Sequence, residues 1–546
     1  MDTADSGYLE EGIHVVRTLT FSTALWSGLA CFGLSFAGAW IEAQANAVPE
    51  RVTYSRDVAP ILFENCATCH RPGEIAPMSL HSYDEVRPWA KSIREKVTKR
   101  EMPPWFADPA HGKFANDASL SEDEIAIIAK WVDQGARRGD VKDMPPFPEF
   151  TDGWKMGEPD FIIELPEVTV PASGPDYFPD LSFTADVPKD EWVRAVEIRP
   201  SNREVAHHVV IFMAGMGRGG GGMGGNFSVL GVWAVGTEPN VYPEGMGRRI
   251  TPGQRFMTNM HYHPNGTEAT DQTRVGLYFG EGELQQEIDT VLSGSFTFSI
   301  PAGAANHREV STWYVENDIK VVSLFPHMHL RGKDMKFTAL YPDGRSEVLL
   351  SVPKYDFDWQ LYYYPEELIS LPAGTKVELE AHWDNSAGNP DNPDPTRTVG
   401  FGTNTTDEMM FGLVEYYYED GPEREQLSDE ERMAQIAATL PEGEAYSVDF
   451  KFGSMGVPSV LHLPREGDGE WLVSFQGQQL GIPVREVVWV GDRFEFVLTL
   501  RFGSMGGDFT VVGTVSDDGV IAGTLSSEDK NTMMIMTDFE GTRAGS

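Results

Sequence analysis

Two groups of side chains in this sequence have the types and spacing for redox chemistry. The first is Cys66-Ala67-Thr68-Cys69-His70, two thiols at C-x-x-C spacing followed directly by an imidazole. Thiols so spaced can add across the two vinyl groups of one haem, leaving His70 to take an axial place on the iron. A lone disulfide or half of a zinc site would use the same residues. A zinc site needs further soft ligands nearby, and the third cysteine, Cys31, lies far upstream in an apolar segment.

The second group is built from histidines: Ala206-His207-His208, Met260-His261-Tyr262-His263 and Pro326-His327-Met328-His329. Residues i and i+2 of a strand share a face, so His327 and His329 can present both imidazoles to one point, and so can His261 and His263. His207 and His208 would point apart on a regular strand, so their joint use needs a bulge or a strand end. Strand histidines that only make hydrogen bonds are the plainer alternative. Three such motifs within one region weigh against it.

The elements around the thiols read as helical. Ser55 can cap a short helix with Val58, Ile61 and Leu62 on one face, and Ser121 with Glu124 forms a capping box for a helix carrying Ile125, Ile128, Trp131 and Val132, ending near Gly135. This order of helix, thiol motif, loop and terminal helix resembles a small cytochrome c over residues 50–142. The resemblance implies an all-α cytochrome c domain with haem c on Cys66, Cys69 and His70. It also implies a methionine as sixth ligand, either Met102 on its proline-stiffened segment or, as second choice, Met78, with His81 and His111 on the surface.

Residues 143–159 are rich in Pro, Gly and charge and read as a linker. From Phe161 to about Tyr418, short β-branched and aromatic runs such as Val193–Ile198, Val209–Phe212, Lys320–Leu324 and Lys376–His382 alternate with Gly, Pro, Asn and Asp. That pattern predicts two tandem antiparallel β-sandwiches, residues 160–290 and 291–420. Met216–Asn226 is a glycine loop with no helix after it, which argues against a phosphate cradle. Residues 423–440, with a Ser428/Glu431 capping box and an apolar stripe of Met433, Ile436, Ala437 and Leu440, predict one connecting helix. Residues 445–546 return to strands and carry the near-repeat Phe452-Gly-Ser-Met-Gly456 and Phe502-Gly-Ser-Met-Gly506, as expected of two related hairpin groups closing a small β-barrel-like domain.

A formal net charge of −40 over 546 residues argues against nucleic acid or an anionic membrane as partner, because both would repel the chain. Residues 18–40 are apolar, follow Arg17 and lead to Ala45-Asn46-Ala47, the outline of a signal peptide over 1–47 with an acidic start that is atypical. An uncleaved membrane anchor is the alternative. Either reading places the body of the protein outside the cytoplasm, periplasmic or secreted, where c-type haem is attached.

With their neighbours, the histidine motifs resemble a known family. VAHHVVIFM, NMHYHPNG, FPHMHLRGKDMKF and TTDEMMFGLVEYY occur in the order and context of the copper type II, ascorbate-dependent monooxygenases, the family of dopamine β-monooxygenase and the peptidylglycine hydroxylating enzyme. The resemblance spans roughly residues 160–420. It implies an electron-transfer copper held by His207, His208 and His261, and an oxygen-binding copper held by His327, His329 and Met409. His263 then has no metal role. The residues alone leave Met409 and Met410 open, and the Asp-Glu-Met match selects Met409. Independently, three imidazoles suit copper in either oxidation state, whereas two imidazoles and a thioether favour Cu(I). The match is incomplete: this chain lacks the disulfides of the animal enzymes, and Phe325, Phe411 and Leu413 stand where the peptidylglycine enzyme holds its substrate carboxylate.

The resulting expectation is an exported copper monooxygenase that hydroxylates a C–H bond of a non-carboxylate small molecule with O2. Its electrons would pass through haem c from an external reductant or periplasmic redox protein. The rival is a non-catalytic haem and copper protein for electron transfer or copper handling.

Overall fold

The structure is a computed structural model that describes residues 48–421 and 445–543 apart from 73, 75, 151–152, 215–226, 235, 296–297, 316, 403, 453–454, 464–471, 476–481, 503–504, 517 and 527–535. The predicted signal peptide, glycine loop and connecting helix lie wholly outside the described residues. Within the described residues no helix is long and apolar enough to cross a membrane.

The expected fold class is corrected. The chain is mostly β, its helices are short, and an all-α cytochrome c domain is not seen among the described residues. Helices at Tyr54–Val58, Ala59–Asn65, Tyr83–Val86, Ala90–Thr98 and Glu122–Asp133 do gather a small core around Tyr54, Leu62, Ile128 and Trp131. The segment between the last two, however, leaves that core. Trp105 and Phe114 pack with Tyr363 of the second sandwich, Asp108 N–H donates to Ser351 O at 2.8 Å, and Ala115 N–H donates to Tyr364 O at 2.7 Å. So few helical turns cannot cover two aromatic rings, and the loop buries them against a sheet instead. Val48–Ser546 is accordingly one compact unit.

Local signals fared unevenly. The Ser121/Glu124 capping box is formed, and Gly135 follows the helix at φ 89°. Ser55 is no cap, because Tyr54–Val58 is already a π-helical turn and Ser55 is buried within it. The segment 143–159 is packed: Phe147 lies on the helical core, Trp154 is buried, and Lys155 N–H donates to Glu197.

Two sandwiches follow. In the first, strands Asp180–Ala185, Gln254–Tyr262, Ala206–Ala214 and Phe227–Ala234 form one antiparallel sheet in that order. It shares a core with the sheet of Phe161–Glu164, Arg274–Phe279, Glu191–Arg199, Met246–Ile250 and Gln286–Glu287. In the second, the sheet Asp289–Gly294, Phe411–Tyr418, Ile319–His327, Ile369–Leu371 packs on the sheet His307–Tyr314, Lys376–Trp383, Gly332–Leu340, Ser346–Val352. The expected small barrel is a nine-stranded antiparallel sheet in which Ile482–Pro483 and Arg485–Val490 remain the edges. Both near-repeat copies join antiparallel neighbours, with Phe452 opposite Met455 and Phe502 opposite Met505.

Alternation leaves each sandwich an outward face that meets the other. Val209, Ile211 and Met213 enter the first core, so His208, Val210 and Phe212 face out. On Ile319–His327, Leu324 enters the second core while Phe325 and His327 face out. Between them lie Val229, Val232, Phe325, Tyr362 and Leu413 as one apolar cluster. Beside it Arg248 and Glu415, both almost fully buried, pair at 2.7 Å, with Tyr242, Ser228 and Thr290 completing the network. Removing one partner of such a pair strands the other charge away from water. Arg248→Met is therefore expected to lower stability by about 3–5 kcal/mol, read from urea unfolding.

Candidate metal centre

The histidines converge where the two outward faces meet. The adjacent pair does so through the bulge its spacing demands: the register between Ala206–Ala214 and Gln254–Tyr262 shifts between Ala206 and His208, and His208 sits directly opposite His261. His207, His208 and His261 each bring a nitrogen within 4.8 Å of the others. His263, just past the strand end, is exposed and stands apart from this group. His327 is the last residue of its strand, and His329 lies beyond it. Their rings are 5.3 Å apart and nearly perpendicular.

Hydrogen bonds decide which nitrogen each ring offers. Asp176 Oδ2 accepts from His261 Nε2 at 2.9 Å, so His261 Nδ1 is left bare, buried and without a hydrogen-bond partner. His207 Nδ1 and His208 Nδ1 face each other at 3.1 Å. In the first group the hydrogen bonds thus single out His261 Nδ1 as a bare nitrogen. In the second group the tautomer is the reverse of that of His261. Gln360 Nε2 donates to Phe357 O, which orients its amide so that Oε1 accepts from His327 Nδ1 at 2.7 Å. His329 Nδ1 donates to Asp407 O at 3.3 Å. Both rings thus turn a bare Nε2 inward. A second hydrogen bond that fixes tautomer and ring direction is what metal-binding imidazoles require. Gln360→Leu should consequently weaken metal binding at His327 by about 10–100-fold, measured by competition with a copper chelator.

The electrostatics suit ligation. Burial, and then the neighbouring imidazoles, hold the His208 and His329 rings well below the usual histidine range. Burial lowers His327 to about 4, against the pull of Gln360. Neutral rings keep a lone pair for a metal. Burial disfavours charge on Asp176, but hydrogen bonds from His261, Thr405 and His263 hold it below the usual carboxylate range.

Met409 is half-buried at the start of the segment leading into Phe411–Tyr418, whereas Met410 is fully buried in the second core. Glu408, just before Met409, accepts from His329 N–H at 3.0 Å, Arg331 N–H at 2.7 Å and Trp383 Nε1 at 3.0 Å. Burial pushes its carboxyl up to about 7 against those donors. Phe325 and Leu413 belong to the apolar cluster, and Phe411 stacks on His327 at 6.4 Å.

Cys66 and Cys69 are free thiols at the end of Ala59–Asn65, and burial raises both. His70 Nδ1 donates to Met78 O at 3.1 Å, which leaves Nε2 available, and Met78 packs beside Cys66 on the helical core. Met102 is half-buried where the loop departs toward the second sandwich. Thr68 and Cys69 face Val196, Trp233 and Gly236 of the first sandwich across a cavity of about 60 Å³.

Four residues escaped the sequence reading: Asp176, Phe357, Gln360 and Glu408. Only Glu408 carried a signal, as the residue before Met409. The others come from loops with neither periodicity nor motif.

No protein-family model matches the chain. The chain is similar to DBH-like monooxygenase protein 1 of Gallus gallus, 22% identical over 209 residues that make up 35% of this chain and 33% of that protein. It thus spans about a third of that relative's length. The match supports a distant relationship to a DBH-like monooxygenase and, with the three-histidine group, copper as the metal. Among solved structures, the major capsid protein P2 of bacteriophage PM2 aligns over 49% of this chain and all of its own at 8% identity and a TM-score of 0.23, too low to carry an argument.

Proposed function

We propose that this protein is a copper-dependent monooxygenase, with one copper on His207, His208 and His261 and the oxygen-binding copper on His327, His329 and Met409. The observation that carries the reading is the convergence of His207, His208 and His261 within 4.8 Å, with hydrogen bonds that leave His261 Nδ1 bare and tie up the Nδ1 atoms of His327 and His329. Bound copper supplies one-electron redox steps and O2 activation. The chain does the rest. Gln360 and the Asp407 carbonyl hold the Nδ1 protons of His327 and His329, and Asp176 holds the Nε2 proton of His261. Phe357, stacked on His207 at 4.7 Å, helps to keep water from the rings.

The balance is one C–H bond, O2, two electrons and two protons giving an alcohol and water. The substrate we infer is a small molecule without a carboxylate at the recognition position. Phe325, Phe411 and Leu413 offer no partner to a buried anion, whose desolvation costs several kcal/mol. Efficient hydroxylation of a glycine-extended peptide would contradict this.

For electron supply we propose haem c on Cys66, Cys69 and His70, with Met102 as the sixth ligand, reloaded by an external donor outside the cytoplasm. The free His70 Nε2 and the short path from Cys69 across the cavity to Trp233 support it. Trp233 precedes Ala234, the strand partner of His208. The test is metal and haem analysis followed by O2 uptake: two coppers and one haem per chain, with O2 consumed in proportion to alcohol, are expected. O2 consumption by the reduced protein without hydroxylated product, over a broad substrate screen, would favour the electron-transfer alternative.

A further inference from the structure

A chain that carries its own electron donor can present it in either of two ways, on a free tether or fixed in place. The stretch that connects the helices to the first sandwich is not free. Trp154 is buried beside Gly276, where a Cβ would come within 2.9 Å of the indole. Arg199 and Arg274 lie over the same ring at 5.4 and 5.2 Å, and the Tyr278 hydroxyl donates to Gly157 O at 2.8 Å. Lys155 adds an ion pair to Glu238 at 2.8 Å.

The helical segment itself is held at two places, each on a different sandwich. Beside the thiols, Glu74 takes two guanidinium groups, Arg71 at 2.7 Å on one carboxylate oxygen and Arg203 on the other. Arg71 follows His70 directly, and Arg203 stands four residues before His207 in the first sandwich. The three side chains are between 14% and 27% exposed, so salt screens these pairs less than it would at an open surface. Beyond Met102 the chain joins the second sandwich. Lys113 O accepts from Glu366 N–H at 2.9 Å, and the Asn116 side chain donates to Tyr362 O at 2.8 Å and accepts from Tyr364 N–H at 3.1 Å. Tyr362 is two residues past Gln360, which holds His327.

We infer that the thiol-bearing segment is a docked electron inlet, with Glu74 as the positioning residue that holds it on the first sandwich just ahead of the histidine strand Ala206–Ala214. This rests on the haem and copper reading and deepens it. One electron passes from haem Fe(II) to Cu(II) at His207, His208 and His261, leaving Fe(III) and Cu(I), as a first-order step within one chain. No part of the chain has to swing, because the residue next to His70 and those beyond Met102 are tied to different sandwiches.

The experiment follows the haem band of the anaerobic full-length protein, carrying haem and Cu(II), after flash reduction by a photoreductant, with haem and copper per chain measured on the same sample. In the unaltered protein the reduced band should decay with a rate constant that is the same at every protein concentration and unchanged as sucrose raises the viscosity. Glu74→Gln should keep haem and copper but lose the second property, its rate falling as viscosity rises. Removing the carboxylate charge can shift the haem potential, and with it the rate, but cannot create a dependence on viscosity. An unaltered protein whose rate falls with viscosity would have a moving donor, which overturns the docked inlet and leaves the haem and copper reading in place; this measurement needs no variant to fold. A Glu74→Gln rate as insensitive to viscosity as that of the unaltered protein would overturn the role of Glu74. Protein without haem, or haem that stays reduced beside bound Cu(II), would overturn the electron-supply reading and the inlet with it.

Discussion

Glu408→Ala should be among the most destabilising single changes in the second sandwich. Its carboxylate is fully buried and accepts from the backbone N–H groups of His329 and Arg331 and from the Trp383 indole. Truncation leaves three donors in a dry interior, each costing about 1–3 kcal/mol. The sum, on the order of 3–9 kcal/mol, rivals the whole stability of an ordinary domain, about 5–15 kcal/mol. The change also frees the turn that carries His329, so metal binding should fall together with unfolding temperature. Glu408→Gln keeps the size and one acceptor oxygen and should recover part of both. Thermal unfolding followed by circular dichroism checks the prediction: a loss below about 1 kcal/mol for the alanine variant would show that water reaches the vacated donors.

That Glu408 was overlooked while its neighbour Met409 was singled out shows where the sequence is informative. Periodicity and local chemistry are readable because they act over a few residues. The His207-His208 pair cannot share a face without a bulge, and the register shift at Ala206/His208 is there. Ser121 and Glu124 announce a capping box, which forms. The strand runs fall within strands of two sheet pairs because alternation is a property of the strand itself. What stayed illegible depends on partners far apart in the chain. Asp176 meets Thr405 across 229 positions, and Gln360 meets His327 across 33. Neither pairing leaves a periodic trace. The error over the helical segment has the same origin. A local reading of Met102–Trp105 assigns the loop to the helices beside it, whereas its aromatic rings are buried by Tyr363, more than two hundred residues later. The approach of His208 to His327, with ring centroids 6.0 Å apart, is likewise a product of how the sandwiches pack, which no single motif encodes.

Adjacent methionines give the sharpest test of the proposed site, because stability and chemistry should separate between them. Met410 is fully buried in the second core, so Met410→Ala removes packed methylenes and leaves a cavity, costing about 2–5 kcal/mol. Copper stoichiometry and turnover per folded molecule should survive it. Met409 is half-buried, and Met409→Ala should change stability by less than about 1 kcal/mol. In the proposed site, however, its thioether would be the soft ligand that favours Cu(I) beside His327 and His329. Losing it should remove carbon monoxide binding at one of the two Cu(I) ions and lower turnover by at least about 100-fold, the upper end of what disturbing a metal ligand's support costs. Urea unfolding, infrared spectroscopy of the carbonyl adduct and O2-coupled product formation measure the three quantities on the same preparations. Should Met410→Ala abolish the carbonyl band while Met409→Ala leaves it intact, the thioether ligand would be Met410, and the segment after Glu408 would have to turn its side chains the other way when copper binds.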